Sequence, residues 1–405
     1  MRIGIAAVEV SGDRLGAELI RELKTYFPDA EFIGCGGDLM HAEGLEMLNH
    51  VSELEAMGVA EVLVRLIPLL RLRSHLIHQL KACELDLFIG VDGPDFNGEV
   101  EHRLSRAGVP CVHYVCPTIW VWRKHRAQFF SRVNRQILCL YPCEKHMIEE
   151  AGGKATFVGH PLADLTPMRQ SHQWARKRLG MEGWTVGRRV VGLMPGSRSS
   201  EIASLLPVFL ATARIMARHE PMVFLVSAVN QHKKSQVVQL VERYGKDLDL
   251  KIIVGKSQQL IASSELMMVA SGTASLETLL VKRPMIVAYR VNPFSYWLIR
   301  WMINHSGQIQ RNLLTGEPIV QNNGTLPLVS QPNLLSGCRL VPEFLQHQVK
   351  AKAMAETCLR LLAKDNRELT SRFHKIHLAL RNNTASSAAR EIIPLLLTHT
   401  GQMQQ

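Results

Sequence analysis

Short uncharged apolar runs alternate along this chain with stretches whose apolar residues recur every three or four positions, and the alternation repeats almost end to end. Runs of the first kind read as strands buried on both faces, the second as amphipathic helices. In the first half the runs fall over 3–8, 31–34, 85–91, 111–115, 136–140 and 156–158. In the second they fall over 190–194, 222–227, 250–254, 266–270 and 285–289. Helices are predicted between them, as over 15–26, where Leu15, Leu19, Ile20 and Leu23 share a face, and over 201–218. Repeated strand–helix units in both halves predict an α/β protein with two open parallel sheets, helices covering both faces. Ligand crevices in such sheets open at the carboxyl ends of the strands, so the active site is expected between the halves.

The chain is organised around 266–277. Its apolar run breaks at Ser271, Gly272, Thr273, Ala274 and Ser275, small residues that let the backbone approach a ligand, and a helix is predicted over 276–281. Unpaired N–H groups and the positive dipole end of that helix form a cradle for phosphate. Glu277, one turn in, could accept hydrogen bonds from sugar hydroxyls. The plainer reading is an ordinary strand-to-helix turn. Pro195, Gly196, Ser197 and Arg198 repeat the pattern, with a guanidinium that could pair bidentately with phosphate.

Other strand ends carry candidate chemistry. The run over 85–91 ends in Asp92, Gly93, Pro94, Asp95, Phe96 and Asn97. Asp92 could be a general base and Asp95 a cap or orienting group; both could equally cap the next helix. Glu9, Ser11 and Asp13 follow the first strand, and His160 follows the one over 156–158, as a ligand contact or a structural histidine. The run over 120–126, with Trp120, Trp122, Arg123 and Arg126, could stack bases or meet a phosphate or glycolipid headgroup. Over 57–80, Val62, Leu63, Leu66, Leu69 and Leu70 are interleaved with Arg65, Arg71 and Arg73. Such a stretch either buries one face in a core or rests on an anionic membrane, and Pro68 is expected to kink or divide it.

Bulk properties narrow the choice. At 405 residues the chain is too long for one comfortable core. The boundaries drawn are 1–165, a linker over 166–188 where the pattern fades, 189–375, and a helical 376–405 returning to the first domain. The net charge of +11 implies an anionic partner. Eight scattered cysteines, without CxxC or zinc spacing, read as buried thiols in a reducing cytosol. The first run lacks the basic flank of a signal peptide, and no uncharged run reaches membrane-span length, so a soluble or peripheral protein is expected. Neither half carries G-x-G-x-x-G or a P-loop, against dinucleotide oxidoreductases and P-loop enzymes. The segment over 305–325, rich in Gly, Asn and Gln, breaks the alternation as a lid or a disordered loop would.

Taken together, several segments resemble the lipid-A-disaccharide synthases, bacterial glycosyltransferases. They are Glu9 with Ser11, Gly12 and Asp13; Asp92 to Asn97; His113 to Val115; Trp120 to Arg123; Pro195 to Arg198 with Glu201; Ser271 to Ala274; and Pro332 to Leu335. The resemblance spans nearly the whole chain in matching order. Departures are Val8 and Val10 around the first Glu, Cys116 where Ser is common, Gln331 before Pro332, and an insertion over 305–325.

The resemblance implies two Rossmann-like domains facing each other across a cleft (GT-B type). It implies inverting transfer of 2,3-diacylglucosamine from UDP to the 6-hydroxyl of 2,3-diacylglucosamine 1-phosphate. By it, Asp92 is the base, and Arg198 with the amides around Gly272 and Thr273 stabilises the leaving diphosphate. Glu277, Asn333 and Gln346 are weaker candidates for uridine and ribose contacts. Glu9, Ser11, Asp13, Asp95, Asn97, Trp122 and Arg123 fall to the acceptor side. No metal or other cofactor is implied, in keeping with the lack of a D-x-D cluster at the cradle. Because both substrates carry acyl chains, the 62–72 stretch is expected to dock on the cytoplasmic face of the inner membrane. No nucleic acid is expected as partner, and a homodimer is left open. The rivals are a UDP-N-acetylglucosamine 2-epimerase, another UDP-sugar transferase, and, in a different class, a nucleic-acid-binding protein.

Overall fold

The computed structural model describes residues 1–52, 62–117, 124–290, 310–319 and 327–399. The chain divides into two compact units, Met1–Asp164 with Leu380–Gln405, and Leu165–Ala379.

The first unit carries β1 (Arg2–Ala7), β2 (Glu31–Gly36), β3 (Leu45–His50), β4 (Leu87–Val91), β5 (Cys111–Tyr114), β6 (Gln136–Cys139) and β7 (Ala155–Phe157). They lie in the order β3-β2-β1-β4-β5-β6-β7, every neighbouring pair parallel. All five residues of β4 are buried, as an uncharged run covered on both faces requires. The strand order reverses between β1 and β4, where Ala7 pairs with Val91. The loops leaving these two strands therefore open side by side at the topological switch point, where open α/β sheets bind ligands.

The second unit repeats the plan with β8 (Arg189–Met194), β9 (Met222–Ala228), β10 (Leu250–Val254), β11 (Leu266–Ala270), β12 (Met285–Tyr289) and β13 (Glu343–Leu345). Its order is β10-β9-β8-β11-β12-β13, again all parallel, with the switch between β8 and β11. Helix Ser199–Met216 is long and apolar enough to cross a membrane by composition. Here it is a core helix: Ile202, Leu206, Phe209, Leu210, Ala213 and Met216 are fully buried in the unit's main cluster with strand residues such as Val191 and Phe224. Burying Phe209 alone is worth about 2–3 kcal/mol.

Several expectations need correction. β3 and β13 were not predicted, because both are edge strands with few fully buried positions and so lack a continuous apolar run. Helix Val62–Ala82 runs unbroken through Pro68. One lost backbone bond is outweighed by the seating of Leu76, Ile77 and Leu80 in the first unit's core. Within the predicted linker stands helix His172–Arg178, part of the second unit. Arg176 fastens it, donating to Glu265 Oε1 at 2.5 Å and the Ser263 carbonyl at 3.0 Å. Of the segment over 305–325, residues 310–319 are described and hold an isolated antiparallel bridge between Arg311 and Pro318.

The last helix, Thr384–His399, belongs to the first unit. Asp164 caps its start, accepting the N–H groups of Asn382 (3.1 Å), Asn383 (3.1 Å) and Thr384 (2.7 Å) and the Thr384 hydroxyl (2.5 Å).

Candidate active site

In the second unit both switch-point strands end in turns that line one cavity of about 380 Å³. From β8 come Gly196, Ser197 and Arg198; from β11 come Ser271, Gly272, Thr273 and Ala274; Glu277 closes one side. Gly272 is the N-cap of helix Thr273–Val281, with φ at 137° and open space where a Cβ would stand. That backbone is one L side chains rarely adopt, and the missing side chain leaves the helix start open to a ligand. The first N–H groups of the helix have no intrahelical acceptor and its dipole is positive here, so the cavity favours an anion.

Arg198 stands at the N-cap of helix Ser199–Met216, three-quarters exposed, its Nη1 3.0 Å from Glu201 Oε1. The other Glu201 oxygen accepts the N–H groups of Ser197 (3.2 Å) and Arg198 (3.3 Å) and so shapes the turn. An exposed pair of this kind is weak, and the guanidinium can leave it for a phosphate at small cost. The Ser271 hydroxyl is committed to the Val329 carbonyl at 2.8 Å and its N–H to the Ala288 carbonyl at 3.0 Å, so the amides open to the cavity are those that follow it. Burial pushes the Glu277 carboxyl up, against a hydrogen bond from Ser257 that holds it down. Ser257 and Gly255, which follow β10, also line the cavity. Sequence reasoning passed over them, although Gly255, Lys256 and Ser257 at a strand end were a readable signal.

In the first unit Asp92 and Gly93 leave β4 with φ of 54° and 52°, two successive left-handed residues. Gly93 cannot be replaced cheaply: a Cβ there would lie 1.8 Å from Val8 Cγ2. Asp92 Oδ1 accepts the Gly93 N–H at 2.7 Å, and the Asp92 N–H donates to the Tyr114 carbonyl at 2.8 Å. Aspartate tolerates this conformation better than most residues, and such geometry clusters at functional sites. The carboxylate stands half-buried at the switch point, with Glu9, exposed at the start of helix Val10–Tyr26, on the neighbouring loop. Ser11 is likewise exposed.

Other candidates turn out to be structural. Asn97 is fully buried, and its amide nitrogen reaches the carbonyls of Ala6 (3.0 Å), Val91 (3.2 Å) and Asp92 (2.8 Å). It staples β1 to the Asp92 turn rather than facing an acceptor. Asp13 caps helix Asp38–Ala42, accepting the N–H groups of Gly37 (2.7 Å), Leu39 (3.1 Å) and Met40 (3.0 Å). Asn333 is also fully buried, exchanging two hydrogen bonds with the Val341 backbone at 3.0 and 2.8 Å, and with no exposed surface it presents no amide to uridine. Gln346 follows the edge strand β13, with φ at 50°, and does not line the cavity. Asp95 is exposed and paired with Arg126. Trp122 and Arg123 lie outside the described residues, as do the side chains of Val62, Leu63 and Leu66. Leu70 is 39% exposed, whereas Leu69 leans on the first unit's core.

His160 is buried, accepts the Leu162 N–H at 3.3 Å, and is pushed down to about 4 by burial, as a structural histidine would be. Cysteines 116 and 139 and Glu144 bring ligand atoms within 4.8 Å of one another. Burial pushes both thiols up, and Glu144 already accepts the N–H groups of Leu140 and Tyr141 at 3.1 Å each. The group is accounted for as core thiols beside a helix cap. Cys338, by contrast with the buried thiols expected, is exposed.

Two doubly wound α/β units, one with an anion cradle at its switch point, are the architecture of the GT-B glycosyltransferases. Solved structures with this fold include the glycosyltransferase of kitacinnamycin (TM-score 0.61, 14% identity, 97% of this chain and 98% of that one). Another is the UDP-GlcNAc 2-epimerase of Neisseria meningitidis bound to UDP-GlcNAc (TM-score 0.59, 9% identity, 98% and 100%). At such identities they speak for the fold alone.

Sequence relatives are far closer. A family model described as Lipid-A-disaccharide synthetase matches residues 3–395. Lipid-A-disaccharide synthases of Aeromonas hydrophila (37% identity, 98% of each chain) and Pseudomonas putida (40%, 97% of this chain and 98% of the other) align over almost their full lengths. The chain belongs to the lipid-A-disaccharide synthase family; it is a glycosyltransferase, and its function is lipid A disaccharide synthesis.

Proposed function

We propose that the enzyme moves 2,3-diacylglucosamine from UDP to the 6-hydroxyl of 2,3-diacylglucosamine 1-phosphate, with inversion, releasing UDP. The observation that carries this reading is the second unit's switch-point cavity, in a chain matched by its family over residues 3–395. UDP's diphosphate lies on the amides around Gly272 and Thr273, with Arg198 swung from Glu201 onto it. Glu277 accepts from sugar hydroxyls nearby.

Asp92 is the base. It takes the proton of the acceptor's 6-hydroxyl as that oxygen attacks the anomeric carbon from the face opposite UDP. The bond from anomeric carbon to diphosphate oxygen breaks with its electron pair going to UDP, where Arg198 and the helix amides hold the new charge. Asn97 and Gly93 act through Asp92, fixing the backbone from which its carboxylate projects. The reading requires the two units to bring these groups to one substrate pair.

Both substrates carry acyl chains, and the leading part of helix Val62–Ala82 supplies the contact with the cytoplasmic face of the inner membrane. Leu70, beside Arg71, is the described residue best suited to it. Leu70→Ser should reduce sedimentation with anionic vesicles; unchanged sedimentation would refute the docking role.

Incubation with both substrates, followed by mass analysis, tests the reaction. A disaccharide 1-phosphate formed together with UDP is expected. A new sugar nucleotide made from the donor alone would favour the epimerase reading instead.

A further inference from the structure

A second concavity, of about 780 Å³, lies in the first unit where β5, β6 and β7 begin, at the opposite end of the sheet from Asp92, which follows β4. Its floor is made by the turns that enter β5, β6 and β7, around Pro110, Asn134 and Gly153. Arg132, Arg135 and Lys154 line it, and all three are exposed. Among the described residues no carboxylate pairs with any of the three. A smaller concavity of about 370 Å³ begins at Arg106, one residue beyond Ser105 of the larger. It adds Lys81, Arg103 and Arg106, with one carboxylate, Glu99, already engaged by Arg103 at 2.8 Å.

Basic residues at helix carboxyl ends ordinarily offset the negative end of the helix dipole. Helices Pro94–Ser105, Lys124–Val133, Pro142–Glu150 and Thr384–His399 all have their carboxyl ends here, the last supplying Leu395 and Thr398. Each carries about half a negative charge there, so together they offset roughly two of the three positive charges. Their last carbonyls are also partly satisfied, as where the Gly108 N–H meets the Ser105 carbonyl at 3.0 Å and the Gly152 N–H the Glu149 carbonyl at 2.9 Å. A surplus of positive charge remains, concentrated in a hollow large enough for a nucleotide-sized molecule. Hydroxyls of Ser131 and Thr398 and the apolar side of Leu395 complete the wall.

We propose that this hollow binds a soluble ligand carrying at least two phosphate groups, as a site separate from the Gly272 cradle. Three cations from two connections, Arg132 and Arg135 ahead of β6 and Lys154 ahead of β7, suit a ligand whose charges are spread rather than a single phosphate. Helix Val62–Ala82 places Lys81 about 15–30 Å along its axis from the stretch assigned to the membrane.

Pyrophosphate titrated calorimetrically into the intact protein tests the proposal. One binding event should survive Arg198→Ala and weaken at least about tenfold in the combined Arg132→Gln, Arg135→Gln, Lys154→Gln variant. Thr398→Glu, a single exposed change at the rim, should weaken the same event. Absence of such an event, or equal affinity in wild type and both hollow variants, would overturn the proposal. Flotation with phosphatidylglycerol vesicles separates the two sources of phosphate. It should be unchanged by the triple substitution; flotation lost in that variant, with no pyrophosphate bound by the wild type, would make the surface a lipid contact instead.

Discussion

Replacing Asn97 with Ala should damage stability and turnover together while sparing the nucleotide cradle. The side chain is fully buried, and its amide nitrogen serves the carbonyls of Ala6, Val91 and Asp92 at 2.8–3.2 Å. Two N–H groups shared among three acceptors are worth about 2–3 kcal/mol net, and carbonyls left dry raise the cost of losing them. Against this, Asn97 Oδ1 is itself buried without a partner among the described residues, so truncation removes about 1 kcal/mol of existing penalty. The balance is a loss of about 2 kcal/mol, readable in urea unfolding as a lower midpoint with an unchanged slope. Because the lost contacts hold the Asp92 carbonyl, turnover should fall more than tenfold, while UDP affinity stays within about twofold. A variant as stable as wild type, or one that loses UDP affinity in step with turnover, would refute the staple.

Further expectations follow from individual contacts. Asp164→Ala removes the cap of the last helix and should cost about 3 kcal/mol, with faster amide exchange over 384–399 as the local sign. His160 titrates near 6.5 when unfolded but is pushed down to about 4 in the fold by burial. The unfolded chain therefore binds the proton first, and stability should fall as pH drops below 6.5, by about 2 kcal/mol between pH 7 and 5. His160→Gln should remove that part of the slope in unfolding curves taken at the two pH values. Arg198→Ala should leave the melting temperature nearly unchanged, since its pair with Glu201 is exposed, and should weaken UDP binding about tenfold by calorimetry.

Most of the fold could be read from the chain because a parallel strand buried on both faces leaves an uncharged run that little else mimics. All five residues of β4 and of β11 are buried, and both runs stand out. β3 and β13 did not, because an edge strand need not be apolar throughout. The cradle was legible for the same reason as the strands: small residues directly after a buried run and before a helix have few other uses. What could not be read was the direction in which polar side chains point. Asn97, Asp13 and Asn333 sit at strand or helix ends, as ligand contacts do, yet each is turned inward onto backbone groups. A buried amide that satisfies a neighbouring turn and one that waits for a substrate share the same local sequence. Only the chain's return from a distant position, such as Ala6 beside Asn97, tells them apart.

The central claim is that a carboxylate of the first unit acts on an acceptor whose donor is held by the second. It is tested most directly by measuring turnover and UDP affinity in Asp92→Asn. Loss of a general base should lower turnover by about 10²–10⁴-fold with UDP affinity preserved. Turnover within a few-fold of wild type would remove Asp92 from the chemistry and contradict the account.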